Sequence, residues 1–368
     1  MINHLCNKLS NYSTVIFFLI TLLFLSASPN NVSAHENDYN YNFYSDFLIE
    51  TPDARGNGLV DGGGVFARGA GSSFYNPANL VTVNNIAAEI STIGYRNIRF
   101  NKIPLVHCYM AKNMKKWGYW SIGFNCEKHG HYYSEPGGNW DYPRRELKTT
   151  NKDIAISINM AYEINPTFCF GLGVKYIYSN HWFQSDEEFW ERDAKTIAFD
   201  FGFGIRNILR QLTILNSEPL SGESNTGGNY EGLSLGISVA NLGPGISYFG
   251  NEYKLSLPTR LRISSGYQII NMRYISLQAT LDLTRFLIDI RGYRNRDINR
   301  TTWRYGFEAS FINLIQLRTG FRVNELYDDD DWPISLSIGP EWLRLGFALE
   351  YENRFDLSYK LSLSHSMR

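Results

Sequence analysis

The side chains that could do chemistry in this chain are mostly arginines and carboxylates set at even spacings. Arg260, Arg262, Arg304, Arg318, Arg322 and Arg344 alternate with apolar residues, and so do Asp282, Glu308, Glu350 and Asp356. A guanidinium offers a fork of donors that fits a carboxylate, so these arginines could hold an acidic substrate. They could equally pair with the neighbouring acids and stiffen an interior, which is the reading adopted. Asp328 to Asp331 is a carboxylate run that could meet Ca²⁺, but no EF-hand spacing surrounds it and a solvated turn explains it. His129 and His131 lack a third fixed ligand, so no metal is expected. Ser185 to Asp193 reads as an exposed acidic loop. No nucleophile–base pair can be placed. Gly62, Gly63 and Gly64 are not followed by a helical pattern, which removes a dinucleotide site. The expectation is a protein that is not an enzyme and uses no cofactor.

The elements carrying these charges have a period of two. In 152–164, Ile154, Ile156, Ile158, Met160 and Tyr162 share one face, while Asp153, Ala155, Ser157, Asn159 and Ala161 share the other. Phe168, Phe170, Leu172, Val174, Tyr176 and Tyr178 repeat the pattern, and it recurs to Leu363. The charges fall on the polar parity. A Lys or Arg facing lipid at the midplane costs about 2–4 kcal/mol, whereas a wet lumen tolerates it. This predicts an all-β fold, a transmembrane antiparallel up-and-down β-barrel of about 14 strands. The expected strands cover 85–95, 102–111, 116–127, 152–163, 167–179, 193–206, 232–242, 258–270, 273–283, 300–311, 315–324, 333–339, 342–350 and 355–364. An even count puts both chain ends on one side, and 128–150, 180–192 and 207–231 become long polar connections. Trp117, Trp120, Trp182, Trp190, Trp303, Trp332 and Trp342 lie near strand ends, as interfacial girdles do.

Composition agrees. The 368 residues include 55 Phe, Trp and Tyr, yet only 19% are charged, below the roughly 25% of soluble domains. A net charge of −1 leaves no basic footprint for nucleic acid. Val15 to Leu25 is too short to span a bilayer and fits the core of an export signal, with cleavage expected after Ala34. Cys108, Cys126 and Cys169 then remain. An odd set is no disulfide framework, although a Cys108–Cys126 bridge between neighbouring strands stays open; free, small thiols are the preferred reading. The expected organisation is a signal peptide at 1–34, a polar leader at 35–52, a Gly-rich plug at 53–84 and a barrel at 85–368. A barrel of this size is too wide for its own side chains to fill, so an internal segment before the first strand is a natural filling.

Residues 53–80, DARGNGLVDGGGVFARGAGSSFYNPANL, end in Phe74-Tyr75-Asn76-Pro77-Ala78-Asn79-Leu80. This resembles the N-terminal signature of the FadL-like outer-membrane barrels. Val239-Ala240-Asn241-Leu242-Gly243, followed by Leu257-Pro258-Thr259-Arg260-Leu261-Arg262, resembles the PorV/PorQ branch of that superfamily. Two residues depart from the pattern: Asn79 stands where a Gly is common, and the final residue is Arg368 instead of an aromatic. The resemblance implies the outer membrane of a Gram-negative bacterium and contact with its lipids. Its PorV-like side implies a type IX secretion accessory whose partners are exported proteins and the secretion machinery. Its FadL-like side implies instead a channel for long-chain fatty acids or other hydrophobic small molecules. The charged interior favours the first. The ligand-binding residues expected on this basis are Phe74, Tyr75, Asn76 and Pro77 in the plug motif, with Arg318 and Arg322 in the lumen.

Overall fold

The computed structural model describes residues 46–96, 105–129, 151–184, 189–208, 215–216, 232–248, 254–272, 274–287, 301–324, 333–340, 342–353 and 356–367. The expected signal peptide, most of the polar leader, His131, the Asp328–Asp331 run and Trp332 lie outside them.

Fourteen antiparallel strands form the wall: β1 (Ile86–Arg96), β2 (Leu105–Asn113), β3 (Tyr119–His129), β4 (Asn151–Glu163), β5 (Phe168–Gln184), β6 (Phe189–Ile208), β7 (Leu233–Leu242), β8 (Arg260–Asn271), β9 (Ile275–Phe286), β10 (Thr301–Phe311), β11 (Ile315–Asn324), β12 (Ile334–Ile338), β13 (Leu343–Asn353) and β14 (Asp356–Met367). Each pairs with the next in sequence, and β1 closes the ring on β14 from Ile86↔Met367 to Arg96↔Leu357. Closure leaves no open edge, which is what a sheet needs where lipid cannot satisfy a free N–H or C=O. Ile86 and Met367 lie together at one end of the barrel, here the terminal end. The β5–β6 hairpin rises at the other, the far end.

The alternation has the sense expected of a membrane barrel. On β10, Arg304, Gly306, Glu308 and Ser310 are buried, while Trp303, Phe307 and Phe311 are exposed. Ile122, Ile156, Ile158, Leu172, Ile197, Ile237 and Leu345 likewise turn their apolar surface outward, at 41–60% exposure. Outward Ile and Leu beside inward Ser, Asn and Asp would be costly in water, and in a bilayer they are favourable. Trp117 and Trp120 sit at the terminal end and Trp303 toward the far end, consistent with two girdles.

One expectation is corrected. The span 180–192 is mostly wall: β5 continues to Gln184 and β6 begins at Phe189, with Gln184↔Phe189 as the last pair. Ser185 to Glu188, which hold most of its acidic residues, lie outside the described residues. Cys108 and Cys126 are free, in line with the preferred reading, and the open alternative of a bridge between them is not formed. Both sit on outward positions, and they are diagonal in register, with Val106 opposite Cys126 and Cys108 opposite Phe124.

Residues 46–83 lie inside the ring. They form two short helices, α1 (Ala54–Gly58) and α2 (Ser72–Tyr75), with 3-10 turns at Asp46–Leu48 and Pro77–Thr82. Nearly every side chain here is buried, and the contacts run to inward residues of the wall.

Candidate functional site

The inner segment is shaped by local chemistry. Asp53 caps α1 by accepting from the Gly56 amide at 2.7 Å, and Tyr75 Oη donates to the same oxygen at 2.7 Å. Burial, then the Asp53 charge, pushes the Tyr75 phenol well above its usual range, so it remains a donor. After α1, Val60 and Asp61 both take positive φ, 57° and 61°, a conformation that costs a non-glycine residue roughly 1–2 kcal/mol. The reversal is held by Asp61 N donating to Gly56 O at 2.7 Å. It delivers the Asp61 carboxylate to the wall. Gly63 and Gly64 then lie so close to Tyr75 and Ser264 that a Cβ at either would collide.

Asp61 Oδ2 accepts from Arg260 Nη1 at 3.2 Å and Arg262 Nη2 at 2.5 Å, with Arg304 Nε 4.0 Å away. Burial alone would raise the Asp61 pKa; Arg262, Arg260 and Arg304 outweigh it and hold the carboxyl below its ordinary value. The polarity reverses one layer on. Arg55 of the inner segment donates Nε to Glu308 Oε2 at 2.8 Å, and Glu308 also takes bonds from Arg318 and Gln278 of the wall. Glu350 accepts from Asn57 and pairs with Arg322 at 3.8 Å. Lys360 reaches Glu50 at 3.6 Å. Charges this deep cost several kcal/mol each unless paired, and opposite charges of the inner segment and the wall meet at Asp61, Glu308 and Lys360.

Of the residues expected to bind ligand, Phe74 and Tyr75 are 4% and 2% exposed and lie under Arg260 and Arg262, whose guanidinium carbons stand 5.2 and 5.4 Å from the ring centroids. Asn76 caps the following turn, accepting from Ala78 N at 2.9 Å and donating to Phe203 O of β6 at 3.1 Å. Pro77 packs where Gly171 and Gly202 leave room. Arg318 and Arg322 belong to the Glu308 and Glu350 groups, so the six divide between different contacts. Arg344 bonds Gly339 O and Asn313 O at the terminal rim, apart from the other interior arginines. Asn79, the departure from glycine, donates to Gly64 O at 3.2 Å and so ties the segment's two halves together.

The Asn-Leu-Gly stretch is a building device. Asn241 has φ +60° and sits where β6 and β7 shift register. It receives Lys175 Nζ at 2.7 Å, donates its N–H to Asp200 at 2.8 Å, and accepts from Thr259 Oγ1 at 2.8 Å. One residue thus joins β5, β6, β7 and the start of β8.

Sequence reasoning passed over the far half of the lumen. There Phe47 and Leu48 pack with inward Ile93, Leu105, Ile177 and Ala198 of the wall and with Ile246, Tyr248 and Leu257, which fold in from the β7–β8 connection. Ile93, Leu105 and Ile177 are apolar residues on the otherwise polar parity. That was the available signal, and it was masked by the emphasis on charges.

No protein-family model matches this sequence, and no curated protein does. Solved structures share its fold. The Ralstonia pickettii toluene transporter TbuX superposes with a TM-score of 0.52 at 10% identity, over 83% of this chain and 96% of that one. The CymD monoaromatic hydrocarbon channel gives 0.53 at 11%, over 86% and 98%. A TodX monoaromatic hydrocarbon channel mutant gives 0.50 at 11%, over 82% and 95%. The chain therefore has the fold of the FadL-like outer-membrane β-barrels over nearly their whole length. The expected secretion branch has no counterpart among these structures.

Proposed function

We propose that the protein is a Gram-negative outer-membrane barrel that admits small hydrophobic molecules, with residues 53–84 as its plug. The observation that carries this is the apolar cluster inside the far half of the lumen. Ile93, Leu105, Ile177, Ile246 and Leu257 face inward and are almost fully buried. An ordinary polar pore would gain nothing from them. In the state described, Phe47 and Leu48 occupy that apolar surface, so an entering hydrophobe would exchange one apolar contact for another at little cost. The fold relatives described as toluene transporters and monoaromatic hydrocarbon channels support the same reading.

The paired charges closer to the wall between β8 and β13 act as structure in this reading. They dock the plug and leave the passage to the apolar cluster around Ile93, Leu105 and Ile177. The Asn241 motif, first read as a mark of the secretion branch, is explained by wall construction.

The test is uptake. A deletion strain should take up labelled toluene or a long-chain fatty acid more slowly, with recovery on re-expression and normal secretion of exported proteins. Unchanged uptake of both compound classes refutes the proposal.

A further inference from the structure

The β2–β3 turn sets three lysines at the terminal edge of the lipid-facing wall. Lys112 is exposed and shares the outward parity of Met110, with buried Ala111 between them. It stands opposite Trp120 in register. Lys115 and Lys116 follow on the turn itself, and both are exposed. None of the three has a carboxylate partner among the described residues, whereas the interior lysines Lys175 and Lys360 meet Asp200 and Glu50 at 2.8 and 3.6 Å. Glu163, at the same rim, is already paired with Arg206 at 3.4 Å.

The turn is built to hold them there. Met114 N donates to Gly118 O, Lys115 N to Asn113 Oδ1 and Trp120 Nε1 to Trp117 O, each at 2.8 Å. Lys115 has φ +56°, a left-handed conformation that glycine or asparagine adopts more readily. Lysine therefore brings a charge to that position at a conformational cost. The surroundings are apolar: Met110, Ile122 and Trp117 are 59, 60 and 68% exposed. Tryptophans of this kind sit at the level of lipid headgroups, and lysines beside them keep their ammonium groups at the polar boundary. A soluble anion would meet the lysines alone. An occupant with a negative head and an apolar body meets both the lysines and the apolar side chains next to them.

We infer that Lys112, Lys115 and Lys116 form a headgroup site for an anionic phospholipid of the membrane. The lipid phosphate meets the ammonium groups, and the acyl chains lie along Met110 and Ile122. Short turns at 114–118, 164–167 and 312–314 mark this end of the barrel, as they mark the periplasmic end of outer-membrane barrels, so the lipid belongs to the periplasmic leaflet. A lysine close to an anionic membrane surface strengthens binding about fivefold. The site does not depend on what crosses the barrel, since it lies on the outer face of the wall.

The experiment titrates the full-length barrel in a nonionic detergent with fluorescent phosphatidylglycerol and phosphatidylethanolamine of equal chain length. It compares wild type with a rim variant, Lys112→Gln, Lys115→Gln, Lys116→Gln, and with a far-end variant, Lys128→Gln, Lys152→Gln, Lys195→Gln. The far-end lysines are exposed too, so both variants lose the same charge. Wild type is expected to bind the anionic lipid about tenfold or more tightly than the zwitterionic one. The rim variant should bind the two alike, and the far-end variant should keep the preference. Should the rim variant fail to assemble, Lys112→Gln and Lys116→Gln singly, which avoid the left-handed position, are each expected to cut the preference several-fold. Equal binding of the two lipids by wild type, an undiminished preference in the rim variants, or the same loss in the far-end variant overturns the inference.

Discussion

Replacing Glu308 by Gln tests the docking of the inner segment directly. Glu308 is 5% exposed and stands between Arg55 of the inner segment and Arg318 of the wall. Glutamine keeps the volume and can accept from one guanidinium, but it leaves a second positive charge buried without compensation. Removing one member of a buried pair costs about 3–5 kcal/mol. Taking the lower figure for a substitution that keeps an acceptor, about 3 kcal/mol of docking free energy is lost. That corresponds to roughly a hundredfold fall in protection of the segment. Hydrogen exchange read by mass spectrometry in detergent micelles gives the number. Peptides spanning 53–66 report on amides such as those of Val60, Asp61 and Gly62, which bond within the segment. Peptides of β4 and β5 report on the ring. The expected outcome is acceleration confined to the segment, partly reversed in the double variant Arg55→Gln, Glu308→Gln, which removes the orphaned charge along with its partner. Unchanged exchange at 53–66, or equal acceleration in β4 and β5, would refute the reasoning, because either result means the ion pairs do not dock a separable element.

Gly171→Ala should drive a methyl group into the backbone of Pro77 and Ala78, costing about 1–3 kcal/mol in denaturant unfolding of the barrel. Asn76→Ala removes the cap on Ala78 and the bond to Phe203 O, and a loss of about 1 kcal/mol or more is expected in the same assay. Asp61 has a folded-state pKa below its unfolded value, so its contribution is complete above the unfolded value and is lost as pH falls through the lower folded one. The gap in unfolding midpoint between wild type and Asp61→Asn should therefore stay constant from about pH 7 to 5 and shrink only below about pH 4. Ile177→Glu puts a charge into the apolar far half of the lumen, and hydrophobe uptake should fall while the barrel still assembles; unaltered uptake would count against that route.

The wall was legible because lipid and lumen impose opposite demands on alternate residues. Phe307 and Glu308 need opposite surroundings, and only a strand in a ring supplies both, so fourteen strands and the inward parity of Arg304, Glu308, Glu350 and Lys360 follow from a period of two. The β5–β6 hairpin was misplaced for the same reason. Beyond the apolar band the contrast fades, and Asn180, Asp193 and their neighbours look like loop although they pair as strand.

The inner segment obeys no period, so its sequence announced compactness through glycine and nothing about partners. That Asp61 meets Arg260, Arg262 and Arg304, and that Arg55 meets Glu308, depends on pairs about 200 or more residues apart, brought together only when the ring closes. Phe74 and Tyr75 were singled out as ligand contacts from their motif, but that they lie under Arg260 and Arg262 could not be read from it. Alternation along a strand is a local property, decided residue by residue by the solvent on each face. Which wall residue faces which part of the segment depends on the register of every strand between them, and only the closed barrel sets it.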